Sequence, residues 1–295
     1  MSHDKAQKAQ GKKSAQANPA VITARIFRKH VTGAWKSGMD SLAVEEPLEI
    51  QVRGRSVVMT MQTPGHDREL AAGFLLTERI IRRRADLVEI RTCRASLEPE
   101  NTLDVFLKAG VQVDFAALTR HVFATSSCGI CGKASIEAVK QHFPPASSKI
   151  SATAKTLTRL PERMHAAQKT FSQTGGLHAA AIFDATGKLV VLREDVGRHN
   201  AVDKVIGFGF LEKILPLDAH ILLVSGRASF EIMQKALAAQ IPIVCAVSAP
   251  SSLAVEFAGE SGQTLVGFLR DDTMNIYSGA QRIVRSPADR RMRAG

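Results

Sequence analysis

The strongest constraint on this chain is an alternation near its C-terminal end. Ile221-Leu222-Leu223-Val224 is a short apolar run, and a helical pattern follows over residues 229–239. A second apolar run, Ile241-Pro242-Ile243-Val244-Cys245-Ala246-Val247, leads to a helix opening near Pro250 and Ser251. Thr264-Leu265-Val266-Gly267-Phe268 is a third run. Strand–helix–strand–helix–strand with short joints implies right-handed crossovers and parallel pairing. Continuously apolar strands suit a sheet covered on both faces. The fold class expected here is α/β.

Upstream the pattern changes. Leu42, Val44, Leu48, Ile50 and Val52 alternate with polar residues, as in a half-buried strand. Arg53-Gly54-Arg55 is a turn, and residues 56–61 return as a second strand. Thr63-Pro64-Gly65-His66-Asp67 breaks this pattern before a helix carrying Leu70, Ala71, Phe74 and Leu75 on one face, with Asp67 as its cap. A further strand pair is expected at 87–92 and 103–107, a helix over 157–171, strands at 179–183 and 189–192, and a helix over 200–208. Asp184-Ala185-Thr186-Gly187-Lys188 joins that last strand pair as a hairpin. A chain of 295 residues holds two domains or one large one. The division expected is a disordered basic tail (1–20), a smaller N-terminal α+β domain (21–148), an α/β domain (149–285) and a C-terminal tail (286–295).

No apolar run reaches the ~20 residues a membrane helix needs, so no membrane association is expected. The cysteines are too few for a disulfide framework, which fits a reducing cytoplasm. The net charge is +11, with basic clusters in the N-terminal tail, at Arg82, Arg83 and Arg84, and near the C-terminus. Aromatics make up only 5% of the chain, which favours an anionic ligand or an acidic protein over nucleic acid. No Walker loop and no G-x-G-x-x-G after a strand is present, so ordinary ATP or NAD binding is not indicated.

Chemistry concentrates in three places. Residues 125–135, TSSCGICGKAS, place Cys128 and Cys131 two residues apart among small residues, with Lys133 beyond and a helical pattern over 134–143. The helix dipole and the lysine favour thiolate, the nucleophilic form. A Cys-x-x-Cys is also half of a structural zinc site, but no second pair and no His-x-x-x-His accompanies it, so no metal is expected. The second place is the carboxyl edge of the parallel strands, where α/β sheets bind ligands. Ser225, Gly226 and Arg227, the run 248–252, and Phe268, Leu269, Arg270, Asp271 and Asp272 stand there. Two of these segments enter helices, and Arg227 and Arg270 suit a phosphate. The third is residues 193–204, REDVGRHNAVDK, where Glu194, Asp195, Arg198, His199, Asn200, Asp203 and Lys204 crowd a strand exit. Both a capped, solvated helix and a site fit that stretch. His178, in TGGLH, is open in the same way between a structural and a site role.

The motifs EPLEI, TPGHDRELAAGFLLTERII, SSCGICGK, TGGLHAAAIF, REDVGRHNAVDKVIG, SGRASFEIMQKA, VSAPSSLAVEFA and LVGFLR follow one another in that order. In this set the chain resembles the FdhD family, sulfur carriers needed to make formate dehydrogenases active. The resemblance implies that sulfur comes from a cysteine desulfurase as a persulfide. It then passes to the bis-molybdopterin guanine dinucleotide molybdenum cofactor, bound as a substrate, before that cofactor enters the formate dehydrogenase catalytic subunit. Cys128 would carry the persulfide and Cys131 would assist or resolve it. Gly267 to Asp272 would bind the cofactor, with Ser225, Gly226, Arg227 and His199 beside them, and GDP would serve as a mimic. A cytidine deaminase-like three-layer C-terminal domain and a homodimer are also implied.

Three rivals stand beside this reading. A zinc deaminase needs H-x-E upstream of P-C-x-x-C. Here the cysteines come first, Ser126-Ser127 precede them, and His178-Ala179-Ala180 lacks the acid. A cysteine hydrolase pairing Cys128 with His178 or His199 would have no use for Cys131. A non-catalytic chaperone that binds the cofactor for formate dehydrogenase is the remaining alternative.

Overall fold

The computed structural model describes residues 18–115 and 143–284. Cys128, Cys131 and Lys133, residues 1–17 of the basic tail, and the C-terminal tail lie outside the described residues. Strands β1 (Val21–Arg28) and β2 (Lys36–Ala43) form an antiparallel ribbon. Strands β3 (Glu46–Val52) and β4 (Arg55–Gln62), helix α1 (Asp67–Thr77), and strands β5 (Leu87–Thr92) and β6 (Thr102–Leu107) follow. The four strands β3 to β6 make one sheet of order β4-β3-β6-β5. The single alternation read from Leu42 to Val52 is thus two strands in two sheets, because both strands keep period 2 through the joint at Val44 and Glu45. Arg53 and Gly54, both at positive φ, form the two-residue hairpin turn between β3 and β4.

The second half opens with β7 (Ala152–Thr153), α2 (Ala154–Thr158), α3 (Leu160–Ala167) and α4 (Phe171–Thr174). The helix expected over 157–171 is therefore broken into pieces. Pro161 has no N–H to continue a helix and sits in the first turn of a new one. Then come β8 (His178–Asp184), β9 (Leu189–Asp195), α5 (Arg198–Leu211), β10 (His220–Val224), α6 (Phe230–Ala238) and β11 (Ile243–Ala246). Helix α7 (Ser252–Glu260), β12 (Thr264–Arg270), β13 (Thr273–Ser278) and β14 (Ile283–Val284) complete the described chain. The main sheet has six strands in the order β13-β12-β11-β10-β8-β9. Strands β10, β11 and β12 are parallel, as their apolar runs predict; the antiparallel hairpin β8–β9 flanks them on one side and the antiparallel strand β13 on the other. The short β14 pairs with β7. The whole is a mixed α/β fold.

Two apolar clusters hold it. One lies between the main sheet and α2 and α3, with Leu157, Leu160, Phe183, Ile221 and Val266 fully buried. The other runs from the four-stranded sheet through α1 and α5 to the opposite face of the main sheet. Helices α1 and α5 cross at two glycines, Gly73 and Gly207. Beside that crossing, Arg193 of β9 forks onto Glu69 of α1, with Nε at 2.5 Å and a terminal nitrogen at 2.8 Å.

Burial works against the Glu69 carboxylate, but Arg193 and His66 outweigh it and hold its pKa below the ordinary value. A depressed carboxyl pKa stabilises the fold above the unfolded value of ~4.3, and that contribution is lost as pH falls through the folded value. Arg193→Met is expected to lower stability at pH 7 by about 1.5–3 kcal/mol. It should also move acid unfolding to higher pH, as read by circular dichroism across an acid titration. An unchanged acid midpoint would show that the fork contributes nothing.

Candidate functional site at the carboxyl edge of the parallel strands

Beyond β10 the backbone keeps pairing for a few residues. Ser251 donates its N–H to the Ala228 carbonyl, and Ala228 bridges Pro250. This holds the entries of α6 and α7 side by side. Ser229 and Ser251 cap those helices, each hydroxyl accepting a backbone N–H from three residues on. Ser225 is fixed from both sides: its Oγ accepts the Ala179 N–H at 2.9 Å, and its own N–H donates to the Ala179 carbonyl. A Cβ on Gly226 would stand 3.4 Å from His178 and 3.7 Å from Arg198, so the loop passes close to both side chains. Arg227 is exposed at this edge.

His199 forms a carboxylate–histidine pair with Glu231, Nε2 to Oε2 at 2.7 Å, and the same nitrogen lies 3.4 Å from Ser229 Oγ. That hydrogen bond outweighs burial and holds the Glu231 pKa below its ordinary value. Burial, then the Arg198 and His199 charges, push the His178 pKa down against the pull of Asp195. Burial and the neighbouring cations therefore favour the neutral ring of His178. Arg198 Nε is buried and unpartnered among the described residues. His178, Arg198, Gly226 and the His199–Glu231 pair thus form one polar cluster where β8 begins and β10 ends.

The stretch Gly267–Asp272 is the end of β12 and its turn into β13. Phe268 donates its N–H to the Ser248 carbonyl, and a Cβ on Gly267 would come within 2.8 Å of Pro250. Asp271 and Asp272 both have positive φ and make the two-residue hairpin turn. Arg270 is exposed with its guanidinium 5.9 Å from the Phe268 ring, whereas Leu269 is buried in the core.

The polar stretch 193–204 is mostly structural. Asp195 and Lys204 are an ion pair at 2.6 Å, both almost wholly buried. Glu194 accepts the N–H groups of Thr170 and Phe171 at the start of α4. Asn200 donates to the Met61 carbonyl, and Asp203 pairs with Lys235 at 2.8 Å. Burial opposes the Lys235 charge, but Asp203 and Glu78 more than offset it and raise its pKa. These side chains tie the two halves together, leaving Arg198 and His199 at the edge.

The cysteines within the described residues are not candidate nucleophiles. Cys93 and Cys245 are buried, and burial pushes the Cys245 thiol up to about 12. No cluster of metal-binding side chains occurs among the described residues, nor any helix long and apolar enough to cross a membrane. The residues that sequence reasoning missed are Pro161, Met164, Gln168 and Phe171, which line a cavity next to Ser225 and His178. Pro161 was the available signal, since a proline inside a helical run marks a restart.

The fold and this edge define a mixed α/β protein with a cluster of polar side chains at the carboxyl ends of its parallel strands. A family model described as the FdhD/NarQ family matches residues 43–284, and the chain belongs to that family. A sulfur carrier protein FdhD from Mycolicibacterium paratuberculosis is 54% identical over 269 residues, covering 89% of this chain and 99% of that protein. The protein of the same name from Streptomyces coelicolor is 50% identical over 258 residues, with 85% and 92% covered. Among solved structures, a candidate formate dehydrogenase accessory protein from Desulfotalea psychrophila superposes with a TM-score of 0.73 at 24% identity. It covers 90% of this chain and 100% of its own. At that identity the likeness concerns the fold alone.

Proposed function

We propose that this protein is a persulfide sulfurtransferase serving formate dehydrogenase maturation. The observation that carries the reading is family membership over residues 43–284, a span that includes Cys128 and Cys131. The Cys128 thiolate attacks the outer sulfur of a cysteine desulfurase persulfide. The donor's S–S bond breaks, and the donor thiolate leaves. Cys131 then attacks the inner sulfur of the Cys128 persulfide, which releases the outer sulfur as hydrosulfide toward molybdenum and leaves a Cys128–Cys131 disulfide. A thiol reductant resets the pair. The sulfur acceptor is the bis-molybdopterin guanine dinucleotide cofactor, bound as substrate at the carboxyl edge. Exposed Arg227 and Arg270 are suited to its pyrophosphates, with GDP as its mimic.

Proposed partners are the desulfurase, the formate dehydrogenase catalytic subunit and a second copy of this chain, in the cytoplasm. Phe27, Trp35 and Met39 expose apolar surface on the β1–β2 ribbon that suits protein association. We place the six-stranded half with cytidine deaminase-like folds, on its three parallel strands and its helices on both faces. The division into two domains stays part of this proposal.

Incubation with a cysteine desulfurase and cysteine is expected to add about 32 Da, one sulfur atom, to Cys128. Cys128→Ala should abolish this gain, and Cys131→Ala should keep the loading but slow the release. A wild-type chain that gains no sulfur would leave the cofactor chaperone as the better reading.

A further inference from the structure

Three consecutive arginines stand between helix α1 and strand β5. Arg82, Arg83 and Arg84 are all exposed. Lys108, also exposed, is held beside them because its N–H donates to the Asp86 carbonyl. The Asp86 carboxylate is already occupied: it accepts the Arg82 and Arg83 N–H groups and pairs with the Arg83 side chain at 3.1 Å. Among the described residues no carboxylate pairs with Arg79, Arg82, Arg84 or Lys108. Arg79 and Arg82 crowd each other: burial, then the Arg82 charge, lowers the Arg79 pKa. Such self-repulsion costs stability. Charge commonly guards the edge of a sheet, and β5 is an edge strand. A guard accounts for Arg91 within the strand, but it does not call for two guanidiniums set against each other. Apolar surface adjoins these cations. Val88 is 62% exposed, Leu97 is fully exposed, and the Arg91 guanidinium lies 4.3 Å over the Phe106 ring. Arginine and aromatic side chains around apolar contacts are the composition of protein interfaces. Arg91 covers Phe106, so that ring is not free to stack a nucleobase.

We infer that this basic corner docks the sulfur donor, through a donor face that carries carboxylates around an apolar centre. The donor's identity rests on the proposed function; the acidic character of its face rests on the arginines. The Arg79 guanidinium lies 5.4 Å from the Phe143 ring, where the described chain resumes after residue 115. The corner therefore adjoins the return of the segment that carries Cys128. Helix α1 sets donor and acceptor apart. It begins at the carboxyl edge, where Thr63 donates its N–H to Asp195, and Arg79 follows its other end. Its eleven residues span about 16 Å.

The test is titration of the full-length protein with its cognate cysteine desulfurase by biolayer interferometry, at low and at high salt. Arg82→Glu combined with Arg84→Glu is expected to weaken binding about tenfold or more at low salt, with the difference shrinking at high salt. Lys155→Glu combined with Arg159→Glu changes the net charge equally at exposed positions of α2 and α3, and should bind as the wild type does. Arg82→Gln should lose less, in the same direction. Its melting temperature should equal or exceed that of the wild type, because it relieves Arg79, and this separates lost docking from unfolding. Loading of Cys128 by the desulfurase should slow in step with binding, while loading by glutathione persulfide should not change. A wild type that does not bind the desulfurase, equal binding by the Arg82 and Arg84 reversal, or equal loss in both double variants would overturn the inference. So would a reversal that abolishes binding to duplex DNA or to phosphatidylglycerol vesicles and spares the desulfurase. A wild type that docks through these arginines yet gains no sulfur keeps the surface and removes the cargo.

Discussion

Replacing Lys204 with methionine is expected to cost about 3–5 kcal/mol of stability, the penalty for stranding a buried carboxylate. Lys204 is 1% exposed and Asp195 is fully buried. The ammonium lies 2.6 Å from Asp195 and donates to the Thr63 carbonyl at 2.7 Å. Asp195 also accepts N–H groups from Thr63 and Gly197 and from the Asn200 side chain. Thr63 returns a contact by accepting the Val196 N–H on its hydroxyl. The network therefore locks the link between β4 and α1 onto the start of α5. Asp195→Asn combined with Lys204→Met removes the stranded charge and should recover part of the loss, and a double-mutant cycle in urea would measure the coupling. A cost below ~1 kcal/mol for Lys204→Met would sink this account. Had the polar stretch been catalytic, the same change would spare stability and reduce activity instead.

That network also shows where sequence reasoning stops. The residues of 193–204 read as a charged cluster because their partners, Thr63, Thr77 and Lys235, are far away in the chain. The Thr63–Asp195 bond spans 132 residues, and no local pattern carries it. The parallel strands were legible for the opposite reason: each is a continuous apolar run bounded by helix caps. The β8–β9 hairpin was legible because Asp184 and Gly187 have the chemistry of a turn, and Asp184 accepts the Thr186 and Lys188 N–H groups. Strand β13 was missed because Thr273–Ser278 is largely exposed and its turn uses Asp271 and Asp272 where a glycine is usual. The general strand-end rule located Ser225, Gly226 and Arg227. Gln168 and Phe171 reach the same edge from broken helices, and periodicity alone does not reveal that. Buried charge pairs and helix breaks thus depend on tertiary context, whereas strands and caps are written locally.

The α1–α5 crossing yields the second large effect. Gly207→Ala is expected to destabilise the protein by more than ~3 kcal/mol, beyond the ~1–3 kcal/mol usual for overpacking. A Cβ on Gly207 would overlap the Glu69 carbonyl oxygen and stand 2.8 Å from the Gly73 nitrogen; one on Gly73 would overlap the Asp203 carbonyl. Every obstructing atom is backbone, so no side chain can turn aside and the helices must separate. Separation would loosen the Arg193–Glu69 fork and the Lys204 network, because Glu69 stands on α1 and Lys204 on α5. Helix propensity works the other way, since alanine in place of a helical glycine ordinarily gains up to ~1 kcal/mol. Gly259→Ala tests that background: it lies in α7, and a Cβ there meets nothing within 4 Å. It should be neutral or slightly stabilising. Urea denaturation of both variants reads the contrast, and a Gly207→Ala protein as stable as Gly259→Ala would show that the two helices do not meet backbone to backbone.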